Sequence, residues 1–124
     1  MSESIEGGGA LHEAPVKEVV ENGDAVVVRL AGELDLYNAD AVREALLGAT
    51  RRDPQRVVID LGEVRFIDST ALGILIEARS RLEHTRGFFL ASPGLETRRA
   101  LEVSGLDRHF DVRASVDEAL GADL

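Results

Sequence analysis

The chain has 124 residues, 44% of them hydrophobic and 30% charged, a composition that suits one folded domain and excludes an intrinsically disordered chain. Its formal net charge is -9, and its basic residues gather in nothing longer than pairs such as Arg51-Arg52 and Arg98-Arg99, which argues against direct binding to nucleic acid phosphates. Cysteine is absent, which removes disulfides, thiolate metal sites and cysteine nucleophiles, and no apolar run approaches the roughly 20 residues of a membrane span.

Residues 1–14 carry Gly7-Gly8-Gly9 and little to bury, so they read as a flexible N-terminal tail ahead of one domain over 15–124. The tail has neither the basic region nor the apolar core of a secretion signal, and a soluble cytoplasmic protein is expected. From Val16 onward, two β-branched runs flank Asn22-Gly23, the pattern of a hairpin. Residues 38–50 place Ala39, Val42, Leu46 and Ala49 at helical spacing, with Asn38 as N-cap. The run after Pro54 is short, apolar and β-branched, and predicts a strand over 56–61 covered on both faces.

A helix is predicted over 70–84, ending near His84 and Gly87. The strand "GFFLAS" follows, then a helix with Ser92 as N-cap and Pro93 at its first position, a short strand in "HFDVRA", and a terminal helix capped by Ser115. Strands alternating with helices make this an α/β layer structure, a mixed sheet of about four to five strands led by the N-terminal hairpin, with about four helices. No internal repeat is visible.

The helix after Asp68 holds the most informative residues. Ala71, Ile74, Leu75, Ala78 and Leu82 form a core-facing stripe, and Ser69, Gly73, Ile76 and Ser80 lie opposite. That outer stripe is small and partly apolar where a solvated face would carry Lys and Glu. A glycine inside a helix costs roughly 1 kcal/mol relative to alanine. Gly73 therefore reads either as room for another surface or as a glycine packed under a neighbouring element. Asp68, Ser69 or Thr70 serves the open N–H groups of the helix start, and a hydroxyl there also occupies a place that tolerates a phosphate.

Taken in order, "GELD" at 32–35, "VVIDL" at 57–61, "FIDSTALGIL" at 66–75, "SGLDRHF" at 104–110 and "SVDEAL" at 115–120 resemble the STAS domain family, and within it the bacterial anti-anti-sigma factors, also called anti-sigma factor antagonists. The resemblance covers about residues 16 to 122. It implies the STAS fold and a phosphoacceptor serine at Ser69. It also implies partner switching: the unphosphorylated domain binds an anti-sigma factor that is itself a GHKL-type serine kinase and so releases the sigma factor. Phosphorylation breaks that complex, and a phosphatase, expected to be of the PP2C type, resets it.

Asp35 and Asp68 match family positions near the phosphorylation site, and Thr70 matches a small or hydroxyl position. Together with the helix plot, this makes Asp35, Asp68, Thr70, Gly73, Ile76 and Ser80 the residues expected to flank the phosphosite or meet the partner. The chain departs from the common pattern at Ala71, where many members have glycine, and carries Leu36 and Tyr37 at a variable position after "GELD". No cofactor is implied, since ATP belongs to the kinase.

Three other readings compete with this one. A nucleophilic triad built on Ser69 and one of His12, His84 or His109 lacks a G-x-S-x-G elbow. A metal or phospho-aspartate cluster of Asp35, Asp60 and Asp68, of the receiver-domain kind, lacks its late lysine, because Lys17 is the only lysine. A non-switching STAS interaction subunit, such as a stressosome-type scaffold or an accessory subunit of a lipid-transport ABC ATPase, would share the fold without a sigma factor.

Overall fold

The computed structural model describes residues 14–82 and 86–124. The glycine-rich tail, His12 and His84 lie outside the described residues; the helix expected over 70–84 ends within them, at Ser80, where the Arg81 N–H bonds the Ala78 carbonyl at the C-cap.

Among the described residues the elements are β1 (Val16–Asn22), β2 (Ala25–Leu34), α1 (Ala39–Arg51), β3 (Arg56–Ile67), α2 (Ser69–Ser80), β4 (Gly87–Ala91), α3 (Leu95–Ser104), a 3₁₀ turn (Leu106–Arg108), β5 (Asp111–Arg113) and α4 (Val116–Gly121). The strands form one five-stranded sheet in the order β1-β2-β3-β4-β5. β1 and β2 pair antiparallel, and every later pair is parallel. Gly23, with φ 61, takes the first of the two loop positions between Asn22 and Ala25, a conformation that a tight hairpin turn requires and glycine adopts without strain.

Because each parallel strand is added beside the last in the same direction, right-handed crossovers place α1, α2 and α3 on one face of the sheet. The alternation of side chains follows. Val26, Val28, Leu30, Val57, Ile59, Leu61, Phe88 and Leu90 point into the main core with the apolar faces of those helices. Val58, Phe89 and Ala91 point the other way and are covered by Val116, Ala119 and Ala122 at the C-terminal end, a second and smaller core. Phe89 is 2% exposed, with the Arg56 and Arg113 guanidiniums 5.7 Å and 5.5 Å from its ring centre. The same Arg56 donates to the carbonyls of Ala119 and Ala122, tying the last helix to the start of β3. Elsewhere on this face Arg29 pairs with Glu18 and Asp60.

Three further local expectations are corrected. The central strand runs to Ile67 and not to Leu61, because the ladder with β2 continues through two register shifts, pairing Ala31 with Glu63 after the first and Leu34 with Ile67 after the second. Gly32, with φ 78, sits where one of these shifts occurs. Asn38 stands at the N-cap position of α1 but makes no capping bond; its amide donates to the Glu33 carbonyl, and its side-chain oxygen accepts from the Asp35 N–H. The N-cap of α3 is Gly94, two residues beyond Ser92, because Ser92 (φ 59) still donates its N–H to Arg113 at the end of the β5 ladder. The Ser115 cap stands as expected, accepting from the Glu118 N–H at 3.1 Å.

Candidate functional site

The extension of β3 carries the chain to the far end of the sheet before α2 begins, so the first turn of α2 stands beside the loop leaving the end of β2. Asp68 joins the two. One carboxylate oxygen accepts from the Ala71 N–H at 3.0 Å and caps α2, while the other accepts from the Leu36 N–H at 3.1 Å. Its own backbone N–H donates to the Leu34 carbonyl. With both oxygens occupied, Asp68 fixes the geometry of the site. Asp35 does the same within its loop, accepting from the N–H groups of Tyr37 and Asn38 at 2.9 Å and 3.3 Å.

Removing the Asp68 carboxylate deletes a helix cap, worth about 1 kcal/mol, and a charge-assisted bond to the loop of similar or larger worth. Asp68→Ala is expected to lose about 2 kcal/mol or more in chemical denaturation. Asp68→Asn, which keeps one acceptor oxygen, should fall between the two.

Ser69 is the first residue of α2 and is exposed. Its hydroxyl has no hydrogen-bond partner among the described residues, since the cap is supplied by Asp68. The N–H groups of Ser69 and Thr70 are likewise left without an acceptor there, as the geometry of a helix start dictates. Thr70, Gly73, Ile76 and Ser80 are all exposed, and Ala71, Leu72, Ile74, Leu75 and Ala78 are buried. Among the described residues, a side chain at Gly73 would meet nothing within 4 Å beyond its own helix backbone, so their packing does not demand glycine there. The Ser80 hydroxyl turns back to the Glu77 carbonyl at 2.7 Å.

The flank of α2 is braced against α1 by a two-pronged pair in which Arg43 donates to both Glu77 oxygens at 2.9 Å and 2.7 Å. The hydrogen bonds from Arg43 hold the Glu77 carboxyl below its ordinary value and raise that of the guanidinium.

The remaining candidates lie elsewhere. Asp60 pairs with Arg29 and accepts from the Gly62 N–H, apart from Asp35 and Asp68. His109 precedes β5, whose first residue pairs with Phe89, itself opposite Val58 near the start of β3. Ser69 follows the end of β3, which puts the two residues roughly 30 Å apart along the sheet. Two residues of the loop were not picked out as site residues by sequence reasoning: Leu36 is 65% exposed and Tyr37 94% exposed. The available signal was two large apolar residues between a strand and a helix start, with no place in either periodicity.

A family model described as the STAS domain matches residues 16–119. The chain is 31% identical over 102 residues to the anti-sigma-F factor antagonist RsfB of Mycobacterium tuberculosis, covering 82% of this chain and 84% of that one. It is 35% identical over 92 residues to the anti-sigma-B factor antagonist of Listeria monocytogenes, covering 73% and 80%. Among solved structures, that of an anti-sigma factor antagonist from Mycobacterium paratuberculosis superposes with a TM-score of 0.79 at 33% identity, covering 83% and 88%.

Proposed function

The chain belongs to the STAS domain family, and from that membership we propose that it is an anti-sigma factor antagonist switched by phosphorylation of Ser69. In this reading the unphosphorylated domain binds an anti-sigma factor, which is a GHKL-type serine kinase, and frees the sigma factor that kinase holds. The relatives named above are antagonists of anti-sigma factors F and B, which supports the class of partner. The observation that carries the site is the exposed Ser69 hydroxyl, left unbonded at the head of a helix whose cap is supplied by its neighbour.

In the transfer, the Ser69 oxygen forms a bond to the γ-phosphorus of ATP as the bond to the bridging oxygen breaks. ADP leaves, and the hydroxyl proton passes to a base of the kinase. The product phosphate sits at the positive end of α2, where open N–H groups and the helix dipole favour it, so the domain stays folded. Asp35 and Asp68 set the loop and helix in register; Thr70, Gly73, Ile76 and Ser80 form the face the kinase covers. A PP2C-type phosphatase returns the hydroxyl.

Incubation of the immobilised protein with ATP and lysate of the source cells, followed by phosphopeptide mapping and recovery of the bound proteins from the same beads, tests the assignment. Phosphate is expected on Ser69 of the wild type and on no residue of Ser69→Ala. Equal incorporation into both proteins would sink it. Recovery of a transporter ATPase or a large homo-assembly, with no phosphate on either protein, would turn the reading to a non-switching interaction subunit.

A further inference from the structure

The loop between β2 and α1 is held more firmly than its length requires. Asp35 and Asn38 bond to each other's backbone, Asn38 reaches back to the Glu33 carbonyl at 2.7 Å, and Asp68 holds the Leu36 N–H from across the site. What this frame displays is apolar. Tyr37 leaves 94% of its surface to solvent and Leu36 leaves 65%. Neither side chain appears in either core. A single exposed apolar residue means little, but two adjacent ones on a rigid loop, tied by hydrogen bond to the helix that begins with Ser69, form a preorganised anchor.

The setting of that anchor is acidic. Glu33 and Asp40 are exposed on its two sides, and Asp35 and Asp68 are the groups that frame it. We propose that Leu36 and Tyr37 are the specificity anchor of this domain, entering an apolar pocket with a basic rim on the serine kinase that binds Ser69. The inference rests on the proposed function and adds to it: α2 supplies the switch, and the loop selects which kinase reads it. Aromatic anchors carry a large share of interface energy, and a rigid loop loses little freedom on docking. Asp68 is then a positioning residue, because it sets the distance between anchor and switch.

The test uses the full chain and the purified kinase that phosphorylates Ser69, with a second GHKL-type anti-sigma kinase for comparison. Dissociation constants are measured for wild type, Tyr37→Ala, Leu36→Ala, Tyr37→Phe and Ser69→Glu. The alanine variants should bind the first kinase about tenfold or more weakly and lose preference over the second. Their melting temperatures should match the wild type, since neither residue is in a core, and Tyr37→Phe should retain most of the affinity.

If both alanine variants bind within about twofold of wild type while Ser69→Glu loses binding, the anchor is refuted and the phosphorylation switch stands. If Ser69→Glu also binds as the wild type does, the switch itself falls and the anchor with it.

Discussion

Ser69→Glu is expected to bind the anti-sigma factor roughly a hundred- to several-thousand-fold more weakly than the wild type, with Ser69→Ala binding at full strength. The size comes from placing a charge at the centre of a face complementary to a neutral hydroxyl. An unpaired buried charge costs on the order of 3 to 5 kcal/mol, and a phosphate, with about -1.5 to -2 charges, costs no less. Nothing in the domain need move, because Asp68 and not Ser69 holds the helix start. Titration calorimetry of the three proteins against the kinase measures this. Equal affinities would refute the electrostatic switch, whereas loss of binding by Ser69→Ala would make the hydroxyl itself part of the contact.

Phe89→Ala should remove about 3 to 5 kcal/mol of stability and lower the melting temperature by about 15 °C or more. Against a total of about 5 to 15 kcal/mol, that is a large fraction of what holds a domain folded. Phe89 is the largest member of the smaller core, and its loss leaves a void beneath α4 with two guanidiniums at its edge. The residue lies on the sheet face opposite α2. The variant that remains folded at low temperature should therefore bind the kinase with wild-type affinity, measured by calorimetry beside a thermal melt. A loss of affinity in the folded fraction would mean the two faces of the sheet are coupled.

Much of this architecture is legible in the sequence for local reasons. The hairpin follows from a glycine between β-branched runs, α1 from four apolar residues at helical spacing, and the last cap from Ser115. The exposed row of Ser69, Gly73 and Ile76 follows from the same periodicity that buries Ala71, Ile74 and Leu75. What escaped depends on partners distant in the chain. β3 continues past Gly62 because β2 offers it a ladder after a bulge, and no window around Gly62 contains that fact. Asn38 has the composition of a cap, yet its side chain is used to close the preceding loop. Asp68 is one of three residues that read as the helix cap, with Ser69 and Thr70, while its second bond, to Leu36, crosses 32 positions. That bond is what places Leu36 and Tyr37 beside the start of the helix that carries Ser69.

Gly73 has an implication for anyone improving the expression or robustness of this protein. Its Cβ position is empty and its backbone is helical, so a stability-guided redesign would choose alanine there and gain roughly 1 kcal/mol. Such a molecule would pass every biophysical quality check, since melting point, solubility and spectra would all be equal or better. On the proposed docking face the added methyl would stand where the kinase is to approach, and only a binding measurement would read its cost.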